Sequence, residues 1–426
     1  MLTRFILASG ATNLADGIAL VAWAWAATLL TRDPILVALV PLALRLPWVL
    51  FSLPAGIVTD RTDRRHLILA MDALRALVFA TTALTLWSAT PLPPAPQDGL
   101  AAPGLFAALT LAALLVGMAE VFRDNAAQTL LPALVGPDRL ESANGRLWSV
   151  ELIGNALAGP ALGAFLIGTA LALPFAANAV AYALALALIA SLSGRFRATA
   201  TGPRDWRREL RESAAFLRDM PLLRDLALIT GVWNLLHQAM MVALVLHVQE
   251  NLHLSAATYG LILSAAAVGG IAGSLLGPRI TARLGPARTA QTMLAASVPA
   301  FLGVALAPGA ATLALAMVLF EFSGLVWNLV AVSHRQRIIP PALLGRVNSL
   351  YRLIATGMMP LGLILSGAVM ALAEPATGRA TALVLPFWLA AAGAALLSFW
   401  GWYAIGRGFI PPDGPPGSSR PPFRQS

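Results

Sequence analysis

The feature that most constrains this sequence is a succession of long apolar segments separated by short polar connections. An α-helix rises about 1.5 Å per residue, so about 20 apolar residues are enough to cross the hydrocarbon core of a bilayer. Hydrophobic residues make up 58% of the chain and charged residues 12%, which excludes an ordinary water-soluble globular protein. Twelve segments are long enough and are numbered span 1 to span 12: 4–30, 35–57, 66–89, 104–122, 146–168, 171–193, 223–249, 257–278, 287–307, 310–332, 348–373 and 380–406.

The charged residues predict how these spans are oriented. All 29 basic residues are arginine and the formal net charge is +9, but the arginines flank apolar spans and do not cluster on polar helices. This pattern favours a cytoplasmic membrane surface over nucleic-acid binding. With the N-terminus in the cytoplasm, the outer loops keep only Arg32 and Arg379. We therefore expect a multi-pass protein of the cytoplasmic (inner) membrane with both termini in the cytoplasm.

Between spans 2 and 3 the chain reads GIVTDRTDRR, with five charges in ten residues. So many charges cannot enter hydrocarbon, and the segment is a tight hairpin at a membrane face. The segment resembles the motif G-x-x-x-D-R-x-x-R-R of the major facilitator superfamily, with matches at Gly56, Asp60, Arg61, Arg64 and Arg65. The resemblance implies an all-α membrane protein with twelve transmembrane helices in two pseudo-symmetric six-helix bundles, the major facilitator fold.

The two halves of the chain also repeat. The segment 273–285 is a degraded copy of the hairpin at 56–65, and Gln128 with the residues after it is matched by Gln336 about half a chain later. Two such copies indicate an internal duplication, as in transporters built from repeated bundles. The predicted organisation is an N-terminal six-helix bundle (1–193), a cytoplasmic linker with an amphipathic helix (194–222), a C-terminal six-helix bundle (223–406) and a disordered Pro-rich tail (407–426).

In the superfamily, the hairpin between spans 2 and 3 forms a latch with acidic groups and helix ends of neighbouring spans. The resemblance implies the same role here, which is gating more than substrate binding. The predicted gating residues are Gly56, Asp60, Arg61, Arg64 and Arg65, with Glu120, Asp124 and Glu151 as their acidic partners.

Span 5 contains a Gly-Pro sequence followed by a third small residue, a pattern that kinks a helix and lets helices approach closely. The segment resembles the antiporter motif in the fifth helix of drug:proton exporters, but Ala164 stands where that motif has a second glycine. Those exporters also have a basic residue within their fourth helix, and the predicted span 104–122 contains no arginine. Despite these departures the resemblance implies export by proton antiport. The residues that carry it are Gly154, Gly159, Pro160 and Gly163.

Three ionisable residues within the spans are candidates for proton coupling, because a charge in hydrocarbon is costly and therefore indicates function. Asp16 and Arg45 have similar depths in spans 1 and 2, and we predict an intramembrane pair that is protonated or broken during transport. A permanent structural bridge is the alternative. Glu321 in span 10 has no basic residue within one turn. We interpret it as a proton carrier or a contact for a cationic substrate, and the alternative is a protonated carboxyl bonded to a neighbouring helix.

Polar and aromatic residues near the middle of spans 1, 7 and 10 are candidates for a substrate cavity. Several polar groups beside an aromatic ring suit a moderately polar organic molecule. For His237, a packing role between helices is the alternative. The predicted cavity residues are Asn13, Trp233, Asn234, His237, Gln238, Trp327 and Asn328.

Together these observations favour a secondary active transporter that exports a small organic molecule, drug-like or a secondary metabolite, by proton antiport and alternating access. The runs 118–146 and 327–352 are most similar to the enterobactin-exporter branch, so siderophore export is one alternative and proton-coupled uptake is another. A receptor or scaffold that does not transport is the alternative from another class.

The sequence offers no support for an enzyme. It contains no cysteine and nothing that resembles a hydrolase triad, a phosphate-binding loop or a metal cluster. We therefore expect no catalytic residues, no metal site and no cofactor. The expected partners are a small-molecule substrate, protons and the lipid bilayer, without nucleic acid, and we expect the protein to act as a monomer.

Overall fold

The computed structural model describes residues 1–135, 140–194, 196, 215–339 and 341–408. Within these ranges the chain is helical without a β-strand, and twelve helical segments are long and apolar enough to cross a membrane. The predicted all-α membrane fold with twelve spans is confirmed. Spans 1 to 4 are the helices Leu2–Leu30, Pro34–Arg61, Arg64–Ala89 and Pro103–Leu134, and spans 6 to 10 are Leu173–Ala190, Pro221–Glu250, Ala256–Leu284, Pro286–Leu306 and Ala310–Ile338.

The other three spans are interrupted helices. Span 5 consists of Leu140–Glu151, a π-helical segment Leu152–Ala158 and Gly159–Thr169. The π-helical segment precedes Pro160, whose ring cannot follow a regular α-helical turn without a clash. Spans 11 and 12 are the pairs Pro341–Gly357 with Met359–Thr377 and Arg379–Ala382 with Leu385–Gly408.

The spans alternate in direction and therefore present two faces. We call one the Arg32 face, which consists of the connections 31–33, 90–102, 170–172, 251–255, 307–309 and 378. The opposite one, with the described connections 62–63, 191–194, 285 and 339, is the Arg64 face. On each face an aspartate caps the helix that follows: Asp33 accepts a hydrogen bond from the backbone N–H of Ile35, and Asp63 from that of Arg65.

The packing of the two halves differs between the faces. Toward the Arg32 face, one apolar core contains residues from both the N-half (spans 1–6) and the C-half (spans 7–12). Toward the Arg64 face, one core consists of C-half residues and a separate core of N-half residues. Glycines permit the contact between the halves: Gly260 of span 8 lies against Pro160 of span 5, and Gly367 of span 11 lies against Pro34 of span 2.

Span 4 is longer than the sequence analysis predicts. The predicted segment 104–122 ends at the first charged pair, whereas the helix continues to Leu134, so Arg123 and Asp124 lie inside it. A window that stops at charged residues cannot detect charges that are paired within a helical bundle. The predicted linker helix and the predicted tail lie largely outside the described residues, and the domain boundaries stay predictions.

Candidate functional site

A charged cluster occupies the middle of the N-half. Asp16, near the centre of span 1, accepts hydrogen bonds on Oδ1 from Arg75 Nη2 of span 3 and from Tyr182 Oη of span 6. The Arg75 side chain is fully buried and its guanidinium lies over the Tyr182 ring, 4.2 Å from the centroid, whereas the Asp16 side chain is 24% exposed. The carboxylate is therefore held from one side by a buried cation and phenol and stays accessible from the other.

The predicted pair between Asp16 and Arg45 is wrong. Arg45 and Arg75 both lie near the depth of Asp16, but only Arg75 contacts it. Depth can be counted along a sequence, whereas the direction in which a side chain leaves its helix depends on packing. Arg45 instead interacts electrostatically with Glu120 of span 4 and with His237 of span 7, in the other half.

A second ion pair lies next to the first. Asp72 on span 3 is fully buried, and its Oδ1 lies 3.4 Å from Nε of Arg123 on span 4. Nη1 of Arg123 also donates to Asp124 at 3.4 Å. Arg123 thus lies within span 4, beyond the predicted segment, and Asp72 and Arg75 each pair with a residue of another helix.

Carboxyl groups outnumber arginines in this cluster. Glu120, Asp124 and Glu151 each interact electrostatically with Asp16. An excess of negative charge in a low-dielectric interior costs free energy unless protons or cations neutralise it, so the arrangement suits reversible proton binding. We call the set the Asp16 cluster; it consists of the five acids Asp16, Asp72, Glu120, Asp124 and Glu151 with Arg45, Arg75, Arg123 and Tyr182.

The glycines of the predicted antiporter-type motif bring spans 1 and 5 into backbone contact. A Cβ added to Gly17, the residue after Asp16, would lie 2.5 Å from the carbonyl oxygen of Asn155 and 2.9 Å from Cα of Gly159. A Cβ on Gly154 would lie 2.9 Å from a backbone nitrogen of span 1, and one on Gly163 2.7 Å from a backbone oxygen of span 1. The motif therefore seats span 1, at the residue next to Asp16, against span 5.

Span 5 in turn touches the C-half. A Cβ on Gly260 of span 8 would lie 2.5 Å from the carbonyl oxygen of Pro160 and 2.3 Å from Cβ of Ala164. Ala164, which departs from the antiporter-type motif, is fully buried, and the missing side chain of Gly260 makes room for it. Asp16, its neighbour Gly17, span 5 and span 8 form one continuous packed path between the halves.

The hairpin on the Arg64 face binds helix ends. Arg65 donates from Nε to the carbonyl oxygen of Ile189 at 3.2 Å and from Nη2 to that of Ala190 at 2.6 Å, at the end of span 6. Asp63 accepts a hydrogen bond from the backbone N–H of Phe196 at 2.9 Å, which fixes the start of the linker. The hairpin therefore joins span 3, span 6 and the linker.

The gating role of the hairpin stays a prediction. The hairpin contacts helix ends, but the described contacts of Arg64 and Arg65 include none with Glu120, Asp124 or Glu151, which belong to the Asp16 cluster. Glu120 and Asp124 lie within span 4, and Glu151 lies on span 5. Arg61 is exposed, Gly56 has open space around its α-carbon, and the Asp60 side chain lies outside the described part of the chain.

A polar latch closes the Arg32 face, and the sequence analysis missed it. Arg32 of the N-half donates from Nη1 to Oε1 of Gln249 at 2.5 Å and lies 3.5 Å from Glu250, both at the end of span 7. Gln249 donates back to Thr28 at 2.8 Å, and Arg379 binds Glu250 while donating to the backbone oxygen of Arg32 at 2.6 Å. The available signal was that Arg32 and Arg379 are the arginines left on that face.

Aromatic residues of spans 7 and 10 pack together in the C-half. Trp233 stacks on Phe320 with ring centroids 4.8 Å apart, and His237 lies 5.5 Å from the Trp233 ring. A Cβ on Gly324 would lie 2.8 Å from the Trp233 ring, so this side chain fills the joint between the two spans. Asn234 donates to the carbonyl oxygen of Ala355 at 2.8 Å, which ties span 7 to span 11.

The remaining predicted cavity residues separate into packed and open positions. Trp327 is buried and donates to Thr230 at 3.4 Å, whereas Asn328 is exposed, so the two do not line one surface as predicted. Consecutive residues point about 100° apart on a helix, which explains the difference. Glu321 shares a face with Asn328, Gln238 is half-buried, and Asn13 donates to the backbone oxygen of Ser9 at 2.8 Å.

Histidine and acidic side chains do not form a metal site in the described ranges, where no three of them come together as ligands. The cluster around Asp16 contains arginines between its carboxyl groups, which opposes binding of a bare cation.

Comparison with known proteins identifies the family. The family described as transmembrane secretion effector (MFS_3) matches residues 2–400, nearly the whole chain. The protein belongs to this family. It is therefore a membrane transporter of the major facilitator type, and the predicted superfamily is confirmed, while the drug-exporter or enterobactin-exporter branch stays a prediction. No curated protein sequence matches the chain.

Solved structures of other major facilitator transporters have the same fold. A mutant form of the nucleoside transporter NupG has a TM-score of 0.74 at 15% identity, with 95% of this chain and 99% of that chain covered. A bacterial homologue of the lysosomal transporter Spinster, inward-facing and unoccupied, gives 0.73 at 16%, covering 97% and 98%. An inward-facing bacterial homologue of the iron transporter ferroportin gives 0.67 at 18%, covering 93% and 97%. At these identities the likeness establishes the fold of the transporter and leaves its substrate open.

Proposed function

We propose that this transporter exports a small organic molecule from the cytoplasm in exchange for protons. The observation that carries the proposal is the Asp16 cluster. A partly exposed carboxylate at mid-membrane is held by a buried arginine and tyrosine, among more carboxyl groups than arginines. A transporter that does not bind protons has little use for groups so costly to place in hydrocarbon.

Protonation of Asp16 removes the negative charge that Arg75 and Tyr182 bind. The loss of this charge changes the position of span 1 relative to span 5, because the next residue, Gly17, lies directly against the backbone of span 5. Span 5 transmits the change to span 8 through Gly260. This packed path lets one proton-binding event alter the angle between the two halves, which alternating access requires.

The orientation follows from the arginines. The Arg64 face is cytoplasmic by the positive-inside rule, and the Arg32 face is external. The latch of Arg32, Gln249, Glu250 and Arg379 then closes the outer side, and the joined apolar core lies toward the same side. We assign this arrangement to the inward-facing state, in which a cytoplasmic substrate enters. Export is favoured by the family description, transmembrane secretion effector.

Drug accumulation in cells that lack their own exporters tests the proposal. Cationic dyes, antibiotics and siderophores are supplied with and without a protonophore, and cells expressing the wild type should retain less of at least one class. The protonophore and Asp16→Asn should each abolish the effect at equal protein level. Asp98→Asn is the matched control, because Asp98 is an exposed carboxyl on the Arg32 face.

Other results of this assay would contradict individual parts of the proposed function. Efflux that persists with the protonophore excludes proton antiport, and full activity of Asp16→Asn removes the role of the cluster. Greater accumulation in expressing cells indicates uptake instead of export. Unchanged accumulation of every compound favours a protein that does not transport.

A further inference from the structure

Arg45 on span 2 and Glu321 on span 10 are ionisable side chains within the membrane that have neither an ion pair nor a hydrogen bond among the described residues. Both lie eleven residues from the start of their spans at the Arg32 face, Pro34 and Ala310. At 1.5 Å per residue each is about 16 Å below that face. A basic and an acidic side chain therefore lie at one depth on different halves of the transporter.

Arg45 points toward the C-half. It lies two helical turns after Ala38, on the same face of span 2, and Ala38 packs against Gly367 of span 11. Its electrostatic interaction with His237 of span 7 places the guanidinium near the C-half as well. The acid that interacts with Arg45 is Glu120, which also interacts with Arg75.

Glu321 points toward the N-half. On span 10, Phe320 and Gly324 pack against Trp233 of span 7, whereas Phe322 packs against Gly273 of span 8. Glu321 leaves the helix between these two faces. Spans 7 and 8 are the C-half spans that flank this gap, and both contact N-half spans. The carboxyl is therefore directed to the interface between the halves, where Arg45 approaches from the opposite side.

An arginine cannot lose its charge in a protein, and an unpaired guanidinium at mid-membrane is costly. A planar guanidinium binds a carboxylate or similar anion well, and a carboxylate binds an ammonium group. We propose that Arg45 and Glu321 bind the two ends of an amphoteric substrate that carries both an anionic group and an amine. The half-buried Trp233 ring, stacked on Phe320 next to Glu321, contacts the apolar part between them. The inference rests on the proposed transport function and adds the substrate class.

Three fluorescent probes on one scaffold test the proposal. Nα-dansyl-lysine is a zwitterion whose carboxylate and ammonium group lie at opposite ends of an apolar chain, its methyl ester is a cation, and its Nε-acetyl derivative is an anion. Binding to the purified full-length transporter in lipid nanodiscs is measured at pH 7 by energy transfer from tryptophan to dansyl. The zwitterion should bind about tenfold or more tightly than either derivative, since each end adds a charge-assisted hydrogen bond.

The variants assign each end. Arg45→Gln should reduce zwitterion binding to the level of the ester and leave the ester unchanged, whereas Arg45→Lys should keep most of the preference. Glu321→Gln should reduce zwitterion binding to the level of the acetyl derivative. Equal binding of all three probes by the wild type, no saturable binding of the zwitterion, or an Arg45→Gln variant that weakens the ester equally would each overturn the proposal.

The assay separates this inference from proton coupling. Binding is measured without a pH gradient, so a transporter that is not proton-coupled can still show the charge preference. Asp16→Asn provides the complementary case, because it should abolish coupled export and keep the zwitterion preference. Retention of the thermal unfolding midpoint by Arg45→Gln and Arg45→Lys shows that a lost preference does not come from misfolding.

Discussion

Replacing Arg32 by alanine is expected to open the Arg32 face. The side chain joins the two halves through a hydrogen bond of 2.5 Å to Gln249 and an ion pair of 3.5 Å with Glu250. Two bonds between the halves persist in the variant, because Gln249 still binds Thr28 and Arg379 still binds the backbone oxygen at position 32. The change weakens the latch without removing it, so we expect a shifted equilibrium and a folded protein.

The size of the shift follows from these contacts. A hydrogen bond that involves a charged group contributes about 1.5 kcal/mol at the low end of the usual range. The ion pair is longer and its side chains are 23% and 18% exposed, so solvent screening limits it to about 0.5 kcal/mol. Their sum, about 2 kcal/mol, corresponds to about a 30-fold higher ratio of open to closed Arg32 face, since about 1.4 kcal/mol is a factor of ten.

Cysteine accessibility measures this ratio directly, because the chain contains no cysteine of its own. Ser264 lies one turn below Gly260 on the side of span 8 that faces span 5, and it is 8% exposed. Ser264→Cys should react slowly with a membrane-impermeant maleimide added at the Arg32 face, and about 30-fold faster when combined with Arg32→Ala. Arg337→Ala, an exposed arginine near the opposite face, is the control. Equal labelling rates in all three proteins would refute the latch.

Three further predictions concern packing, pH and the aromatic joint. Gly17→Ala should lower the unfolding midpoint and abolish transport, because the added Cβ would lie 2.5–2.9 Å from backbone atoms of span 5 and overpacking costs about 1–3 kcal/mol. Gly168→Ala is the control and should leave the midpoint unchanged, because a Cβ at that position has open space. Burial opposes ionisation of Asp63, but hydrogen bonds from the backbone N–H groups of Phe196, His66 and Arg65 outweigh burial and hold the pKa of Asp63 below 3.8. The ionised carboxylate therefore stabilises the fold fully above pH 3.8, and this stabilisation is lost as the pH falls below that value. Asp63→Asn keeps the cap, but its amide nitrogen cannot accept the hydrogen bond that Phe196 donates to Oδ2 of Asp63. It should therefore lower the unfolding midpoint at pH 7 by the loss of about 1 kcal/mol and by less at pH 3, and an equal loss at both values would contradict the assignment. Trp233→Ala should destabilise the joint of spans 7 and 10 by about 3 kcal/mol, whereas Trp148→Ala, with a 70% exposed ring, should change the midpoint little.

The fold could be predicted because the features that determine it lie within short segments of the sequence. Apolar length sets the number of spans, and loop arginines give their direction. Asp16 and the small residues Gly154, Gly159 and Gly163 were also recognisable, since a carboxyl in a span and closely spaced glycines both stand out against the apolar background. In the structure, these glycines lie at the helix contact that such spacing predicts.

The side-chain partners of the buried charged residues could not be predicted, because these contacts depend on the rotation of each helix about its own axis. Asp16 binds Arg75 and not Arg45 for this reason, and Trp327 is buried while Asn328 is exposed. Arg123 was outside the predicted span because charge was treated as its end. The latch on the Arg32 face joins residues more than 200 positions apart, and no local pattern relates them.

Proton release on substrate binding tests the central claim most directly. The purified transporter is placed in weakly buffered detergent solution with a pH-sensitive dye, and a compound that it exports is added. The account predicts that the wild type releases protons in proportion to the bound compound and that Asp16→Asn binds the compound while releasing fewer. Equal proton release by the wild type and Asp16→Asn would contradict the account, because the proton would then be carried elsewhere.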